Sequence, residues 1–303
     1  MNEYITYRLA SILCRMVPEK LAYWFGLRIS DLFYMRNHVG REAIISNLKR
    51  ICVARGVVPA EAALTGMARK TFQYFGKYLI DFFRYARLTP EEVRQRVSIE
   101  HLDYLEQCMA LKRGVLVLTA HFGNWELGGA AVTALGYKVN ALVLPTRLEK
   151  LNQMFQKQRE KRGVKLIPVN RSAVLSMIRC LKNGEIVAVL GDRDFTGKEG
   201  RVEFFGEPAR IPRGPAWLSM KSGAPILPGF LLRQVDDTFL MRFHAPIFPE
   251  QEGSVDAIRA KICRALEKEI GEQPYQWFIF DDFWANGVKS EGGDLETGRQ
   301  ESA

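Results

Sequence analysis

Residues 115–126 read VLVLTAHFGNWE, and this stretch decides the fold class of the 303-residue chain. The run 115–119 is apolar and short, which predicts a buried strand. Asn124 is a good N-cap, so we expect a helix to begin directly after it. A buried strand that is followed closely by a helix is the repeating unit of α/β folds.

The same alternation continues through the centre of the chain. We predict further strands at residues 139–144, 165–169, 185–190, 201–205, 224–232 and 239–243. Helices are predicted at residues 125–135, 149–162, 172–182 and 255–270. Strands joined through helices pair in parallel with right-handed crossovers. The predicted fold is therefore α/β, a mostly parallel or mixed central sheet flanked by helices, over residues 111–285. The tail 286–303 has no hydrophobic cluster, and we expect it to be disordered.

The first 110 residues are predicted to be helical. Apolar residues recur at spacings of three and four through residues 4–34, and further helices are expected at 41–55 and 60–87. Thr89, Pro90 and Glu92 form a capping-box pattern that begins another helix. The chain is thus expected to carry a helical region, 1–110, in front of the α/β domain.

Residues 4–34 favour a membrane surface rather than a membrane span. Charged residues interrupt them, so no uncharged run approaches the roughly 18 residues that a span requires. Residues 1–58 hold nine Lys and Arg against four Asp and Glu, with aromatic side chains among them. A basic, aromatic, amphipathic helix binds the interface of an anionic membrane. An ordinary helix packed on its own domain is the alternative. We expect a membrane-associating segment.

Composition excludes several classes of protein. A hydrophobic fraction of 47% is too high for a disordered chain, although the net charge is +9. The five cysteines are scattered, odd in number and not at metal-ligand spacing, which indicates reduced thiols in a cytosolic compartment. The first residues lack the order of a secretory signal, so no export is expected. The chain has no nucleic-acid motif, and no nucleic-acid partner is expected.

His121 and Glu126 are the candidate catalytic pair. His121 falls just beyond the end of the predicted strand, where open α/β sheets bind their ligands. On one continuous helix five residues turn the side chain by about 500°, which leaves the two roughly 140° apart. A bend at Gly123 and Asn124 would bring them together. Glu126 would then fix one imidazole tautomer, and His121 would act as a general base. A purely structural His–Glu pair is the alternative.

Several motifs resemble those of one enzyme family. They are HFGNWEL at 121–127, LKNGE at 181–185, GDRD at 191–194, VEFFGEPA at 202–209, Pro-x-Gly-Pro-Ala at 212–216, APILP at 224–228 and Gln276-Trp277. The chain is similar in these segments to the lipid A late acyltransferases. That family comprises lauroyl and myristoyl transferases of the wider His-x4-Asp/Glu glycerolipid acyltransferase superfamily.

The resemblance implies transfer of a fatty acyl group from acyl carrier protein, or from acyl-coenzyme A, to a hydroxyl of a lipid or glycolipid such as lipid A. The expected place is the cytoplasmic face of the inner membrane, with the protein at the interface. His121 is implied as general base and Glu126 as the group that orients it. The supporting or substrate-binding candidates are Arg159, Asp192, Arg147 and Asp194. No metal and no cofactor is expected, because the acyl donor is itself a substrate.

Two departures from the family pattern concern the acceptor. The family's Tyr-Arg-Pro segment is present only as Pro145-Thr146-Arg147, and Asp281 and Asp282 replace a usual His-Arg-Arg. Acids in that place should weaken the binding of a phosphorylated sugar. Another glycolipid, a phospholipid or an aryl-lipid precursor therefore stays open as the acceptor. We also expect an apolar groove at His121, with Arg147, Arg159 or Arg193 at its mouth.

Two other classes of protein are alternatives to an acyltransferase. A non-catalytic lipid-binding protein would extract lipid without turnover. A zinc hydrolase is disfavoured, because no second histidine lies near His121 at ligand spacing. A covalent acyl-enzyme is not expected either, since no serine stands in a nucleophile elbow and no cysteine lies beside His121.

Overall fold

The computed structural model describes residues 3–85, 88–144, 149–194 and 200–285, and its centre is a mixed sheet of seven strands. The nine strands of the described chain are β1 (Val97–Glu100), β2 (Val115–Thr119), β3 (Val139–Val143), β4 (Val164–Pro168), β5 (Ile186–Leu190), β6 (Val202–Phe204), β7 (Glu207–Ala209), β8 (Ile226–Arg233) and β9 (Phe239–Phe243). The central sheet has the order β1-β9-β8-β2-β5-β3-β4, and β6 and β7 form a separate antiparallel pair.

The sheet is parallel except at one junction. β2, β3, β4, β5 and β8 run in the same direction, β9 is antiparallel to β8, and β1 is parallel to β9. Helices separate the parallel strands along the chain, as right-handed crossovers require. The predicted α/β class with a mostly parallel or mixed sheet is confirmed.

Helices flank the sheet and form the N-terminal part of the described chain. They are α1 (Glu3–Met16), α2 (Glu19–Arg36), α3 (His38–Ala54), α4 (Glu61–Arg84), α5 (Pro90–Arg96), α6 (Leu102–Ala110), α7 (Trp125–Ala134), α8 (Glu149–Glu160), α9 (Ala173–Lys182), α10 (Gly214–Ser222), α11 (Pro249–Glu252) and α12 (Val255–Glu272). A 3₁₀ turn, Pro274–Gln276, follows α12.

The predicted elements are found with small shifts at their ends. The predicted capping box of α5 is formed, because the Thr89 hydroxyl accepts from the Glu92 N–H while the Glu92 carboxylate accepts from the Thr89 N–H. The stretch 4–34 is two helices rather than one, since Pro18 lacks an N–H and ends the first. Strands β1 and β7 and helices α6, α10 and α11 were not predicted. Short elements carry too few residues for a clear period.

Strand β2 divides the core into two layers. Leu116 and Leu118 pack into a cluster that includes buried residues of α9, α10 and α12. Val115 and Val117 point to the opposite face and pack with α7. Alternate side chains of a strand face opposite sides of a sheet, so an apolar run buries both. Because both faces of β2 are packed, the strand is held firmly in the sheet. His121, two residues beyond its end, is held in place with it.

The N-terminal helices pack on α4. α2 presents Ala22, Tyr23 and Ser30 to the interior, while α3 and α4 share a separate apolar cluster. α4 also contacts the 3₁₀ turn. All five cysteines are free thiols. The division of the chain at residues 110 and 285 stays a prediction, and the predicted tail 286–303 lies outside the described residues.

Candidate active site

The pairing of β2 with β5 brings His121 and Asp192 together. The two strands are parallel and in register, with Thr119 beside Leu190. His121 lies two residues beyond the one strand, and Asp192 lies two residues beyond the other. Thr119 and Leu190 are paired, and each candidate residue follows its strand by the same number of positions. The two side chains therefore lie side by side at the same edge of the sheet.

Asp192 holds the histidine through both of its oxygens. Its Oδ1 lies 2.9 Å from His121 Nδ1, and its Oδ2 accepts from the His121 backbone N–H at 2.9 Å. The indole N–H of Trp277 also donates to Oδ2, at 2.9 Å. An ionised carboxylate can only accept, so Nδ1 carries the proton and Nε2 is left as the acceptor. The imidazole is thereby fixed in one tautomer and one orientation.

Asp192 is fully buried yet favours its charged form. Burial alone would raise its pKa, but the His121 ring and N–H and the Trp277 N–H hold the pKa of Asp192 below its usual range. Its negative charge would stabilise a positive charge on the ring. His121 keeps 19% of its side-chain surface exposed, so Asp192 is buried while the histidine is reachable.

The turn after β2 is held against the neighbouring strand β8. Gly123 has φ +60°, and a Cβ there would lie 2.0 Å from the Leu231 carbonyl oxygen. The Asn124 N–H donates to that same oxygen at 2.8 Å, and the Gly123 N–H donates to the Gln276 carbonyl at 2.9 Å. The bend predicted at Gly123 and Asn124 is present. It redirects the chain into α7 instead of continuing a single helix.

Asn124 links α7 to a buried ion pair. Its Oδ1 accepts from the Leu127 N–H at 3.1 Å, which is the predicted N-cap. Its Nδ2 donates to Asp81 of α4 at 2.9 Å. Asp81 is paired in turn with Arg233 at the end of β8, and both side chains are buried. The N-terminal helices are therefore hydrogen-bonded to the turn that carries His121.

Glu126 binds Arg159, so the predicted direct contact between Glu126 and His121 is wrong. Arg159 Nε lies 2.9 Å from Oε1 and 3.1 Å from Oε2, and its Nη2 lies 2.6 Å from Oε1. Arg162 Nη1 lies 4.0 Å from Oε2. The carboxylate that orients the imidazole is Asp192. Glu126 lies in the first turn of α7, and the bend directs its side chain to Arg159 of α8 and to Arg162 just beyond that helix.

The Glu126 cluster is charged and largely buried. Burial would raise the pKa of Glu126, but the Arg159 and Arg162 guanidiniums and the nearby His121 hold that pKa below its ordinary value. The hydrogen bonds of the Glu126 carboxylate go to Arg159, and its interaction with His121 is one of charge alone. Two cations share one carboxylate, which leaves the cluster with a positive balance.

A group of aromatic side chains packs beside His121. The Trp125 ring lies 5.4 Å from the imidazole in an edge-to-face arrangement, and Tyr78 stacks on Trp125 at 4.3 Å. Phe278 packs near both rings, and its backbone N–H donates to the His121 carbonyl at 2.8 Å. The side of the imidazole that faces Trp125 is therefore apolar, with Tyr78 and Phe278 buried behind that ring. The apolar groove itself stays a prediction.

The structure gives different results for the other residues predicted for the site. Arg147 lies outside the described residues. Asp194 is half-buried two residues beyond Asp192, and its role stays a prediction. Arg193 donates to Asp281 at 2.8 Å and is therefore matched by an acid. Trp277 and Asp81 were not assigned to the site from sequence. The pairing of Phe122 with Trp277 that places the indole joins distant segments and has no local signature.

The fold and this arrangement define an α/β enzyme with a histidine-centred candidate site. The model of the bacterial lipid A biosynthesis acyltransferase family matches residues 4–286. The chain belongs to that family and is an acyltransferase, which confirms the predicted resemblance. The conclusion rests on the match over nearly the whole chain.

Two relatives of this chain are named as acyltransferases. A phosphatidylinositol mannoside acyltransferase of Mycobacterium tuberculosis is 26% identical over 277 residues, covering 86% of each chain. The lipid A biosynthesis palmitoleoyltransferase of Escherichia coli is 29% identical over 217 residues, covering 70% of this chain and 69% of the relative. Among solved structures, the 1-acyl-sn-glycerophosphate acyltransferase PlsC of Thermotoga maritima matches at TM-score 0.38 and 12% identity, over 84% of this chain and 97% of that one.

Proposed function

We propose that this protein is a membrane-associated O-acyltransferase with a lipid or glycolipid acceptor. It moves a fatty acyl chain from acyl carrier protein, or from acyl-coenzyme A, to a hydroxyl of that acceptor at the cytoplasmic face of the inner membrane. The observation that carries the proposal is the His121 imidazole, held by buried Asp192 with Nε2 left as the proton acceptor. The named relatives act on phosphatidylinositol mannoside and on lipid A, which are both glycolipids.

The proposed reaction needs one base and no covalent enzyme intermediate. His121 Nε2 takes the proton of the acceptor hydroxyl as its oxygen attacks the thioester carbonyl. The new C–O bond forms, the C–S bond breaks, and the proton passes from the imidazolium to the leaving thiolate. Asp192 stabilises the imidazolium throughout. Neither a metal nor a cofactor has a part in these steps.

The two acids that replace the family's basic segment, Asp281 and Asp282, each pair with an arginine, which favours an acceptor with little phosphate at the reacting end. Arg193 is paired with Asp281, and Arg50 with Asp282, each at 2.8 Å. A paired guanidinium has fewer free donors for a phosphate. We therefore favour a glycolipid or phospholipid whose reactive hydroxyl is on an unphosphorylated group over a sugar phosphate.

The surface of α1 and α2 supports membrane association. Its exposed large apolar side chains are Leu9, Ile12, Leu13, Met16, Leu21, Trp24, Phe25, Ile29, Leu32, Phe33 and Met35. Exposed Arg8, Lys20, Arg28 and Arg36 lie along the same helices. An apolar surface of this size, edged with cations, fits an anionic bilayer. None of the helices within the described ranges is long and apolar enough to cross a membrane.

Lipid analysis tests the proposal directly. Total lipids are compared by mass spectrometry between cells that carry the wild-type gene, a deletion, or the His121→Ala variant. We expect one acylated species to be present only with the wild type, and its precursor to accumulate in the other two. Purified protein with acyl carrier protein or coenzyme A thioesters then identifies the donor. Lipid extraction by the purified protein without any acylated product would instead favour a lipid-binding protein.

A further inference from the structure

A groove between α1 and α8 collects positive charge from both helices. It has a volume of about 440 Å³ and is lined by Arg8, Lys150, Gln153, Met154 and Lys157. The three α8 positions 150, 153 and 157 recur at helical spacing and share one face. No carboxylate belongs to the described lining.

Packing between aromatic rings fixes the two walls relative to each other. Tyr7, the neighbour of Arg8, meets Phe155 of α8 edge-to-face at 5.8 Å. Phe155 also packs on Phe82 of α4 at 5.1 Å. The cations therefore lie on opposite walls of a packed junction and not on two independent helices.

The cations of a second groove, between α2 and α4, already have partners. There Arg69 binds Asp31 at 2.7 Å, Lys77 binds Asp237 at 2.6 Å, and Lys70 lies 3.6 Å above the Tyr275 ring. In the part of the chain that the structure describes, Arg8, Lys150 and Lys157 have no carboxylate within 4.0 Å. Like charges brought together without a counter-ion repel, so this groove gains from an anion.

We propose that the α1–α8 groove binds the phosphate of an anionic phospholipid headgroup. A lipid is favoured over a soluble phosphate because exposed Leu9, Ile12 and Leu13 continue from Arg8 along α1. Ile12 lies one helical turn from Arg8, so a headgroup in the groove leaves its acyl chains against this apolar strip. The proposal rests on the proposed membrane surface, but it is independent of acyl transfer. The bound lipid would hold α8, and hence Arg159, in a fixed place at the bilayer.

The test measures binding of short-chain phosphatidylglycerol, kept below its micelle concentration, by calorimetry. The Lys150→Gln/Lys157→Gln variant is compared with wild type and with a matched control, Lys182→Gln/Lys221→Gln, which removes the same charge from exposed positions of α9 and α10. We expect saturable binding of one lipid by wild type and control. The groove variant should bind at least about tenfold more weakly, which corresponds to 1.4 kcal/mol. Unchanged thermal unfolding shows that the variants are folded.

Four further outcomes distinguish a lipid headgroup from free phosphate, and the groove proposal from membrane association. Inorganic phosphate binding as tightly as the lipid would show a free-phosphate site and overturn the proposal. Equal losses in the groove variant and the control would show a diffuse electrostatic effect and also overturn it. The groove variant could instead bind vesicles and the short-chain lipid as tightly as wild type does. That result would overturn the groove site but would still support membrane association. Wild type that ignores vesicles would remove membrane association, and the short-chain lipid then still decides the groove.

Discussion

Asp192 Oδ1 lies 2.9 Å from His121 Nδ1, although 71 positions separate the two residues in the chain. The contact depends on two adjacent parallel strands that end in register. It leaves Nε2 as the proton acceptor, and it makes Asp192, not Glu126, the carboxylate on which the general-base proposal depends.

Asp192→Asn should lower kcat/KM by about 10²- to 10⁴-fold, the usual contribution of a positioned general base. The amide is nearly the same size, but its NH₂ group would favour the other tautomer of His121. His121→Ala should lose at least as much activity. Both are measured as acyl transfer by purified protein, with circular dichroism as the check on folding. Wild-type turnover in either variant would sink the assignment.

Trp277→Phe should reduce activity without unfolding the protein, because it keeps the ring and removes one N–H donor to Asp192. The pKa of Asp192 should rise toward its usual value, so the loss should grow as the pH falls. The measurement is kcat/KM of variant and wild type across the acid range. Trp284→Phe is the control, since that indole N–H donates at 3.2 Å to the Phe204 carbonyl instead. A pH-independent ratio would show that Trp277 only packs.

Glu126→Gln should destabilise the fold, because Arg159 and Arg162 would lose their carboxylate. Breaking a buried pair costs about 3–5 kcal/mol, and the low end applies because Arg159 is partly exposed. The double variant Glu126→Gln/Arg159→Gln should be less destabilised than the single one. Urea unfolding of all three proteins measures this difference. A double variant that is less stable than Glu126→Gln would contradict the pairing.

The stability difference between wild type and Glu126→Gln should also depend on pH in a definite direction. The native pKa of Glu126 is below its ordinary value, because Arg159 and Arg162 outweigh burial. A lowered native pKa contributes stability that is complete above the unfolded pKa of about 4.5 and is lost as the pH falls through the native pKa. Thermal unfolding should show a constant difference above about pH 5 and a narrowing one below it. A difference that grows toward low pH would contradict the sign.

Gly123→Ala should destabilise the protein severely. The residue has φ +60°, and the new Cβ would meet the Leu231 carbonyl oxygen of β8 at 2.0 Å. Gly206→Ala is the matched control, since it has φ +74° but no atom within 4 Å of the new Cβ. The control should cost about 1 kcal/mol of αL strain, and Gly123→Ala clearly more. Equal melting temperatures of the two variants would show that the turn can move away from β8.

Trp24→Gln/Phe25→Gln should weaken binding to anionic vesicles, because both side chains are about half exposed on α2. Each apolar side chain buried in the bilayer contributes up to about 1.5–3 kcal/mol. Co-sedimentation with phosphatidylglycerol vesicles measures the loss. Trp217→Gln, at an exposed position of α10, is the control. Unchanged sedimentation of the α2 variant would show that this face does not touch the membrane.

Deleting residues 1–34 should likewise reduce activity on bilayer substrate more than on detergent-dispersed substrate.

Features that depend on neighbours along the chain were predictable from the amino-acid sequence. The apolar runs of β2 and β9 were predicted at their observed limits, 115–119 and 239–243. The caps at Thr89 and Asn124 were predicted as well. A cap accepts hydrogen bonds from N–H groups two or three residues away, and a buried strand has a continuous apolar run. Both features can therefore be recognised from a short stretch of sequence. The position of His121 at a strand end followed from them.

The partner of each charged side chain, in contrast, depends on how the strands and helices pack. His121 and Glu126 are five positions apart, and the predicted bend between them exists, yet Glu126 binds Arg159 and His121 binds Asp192. Strand order and register choose these partners, because they set which distant strand ends lie side by side. The Trp277 indole reaches Asp192 for the same reason, through a pairing of 122 with 277 that no local pattern encodes. Local propensities fix where elements begin and end, whereas the packing of the sheet fixes which of their ends meet.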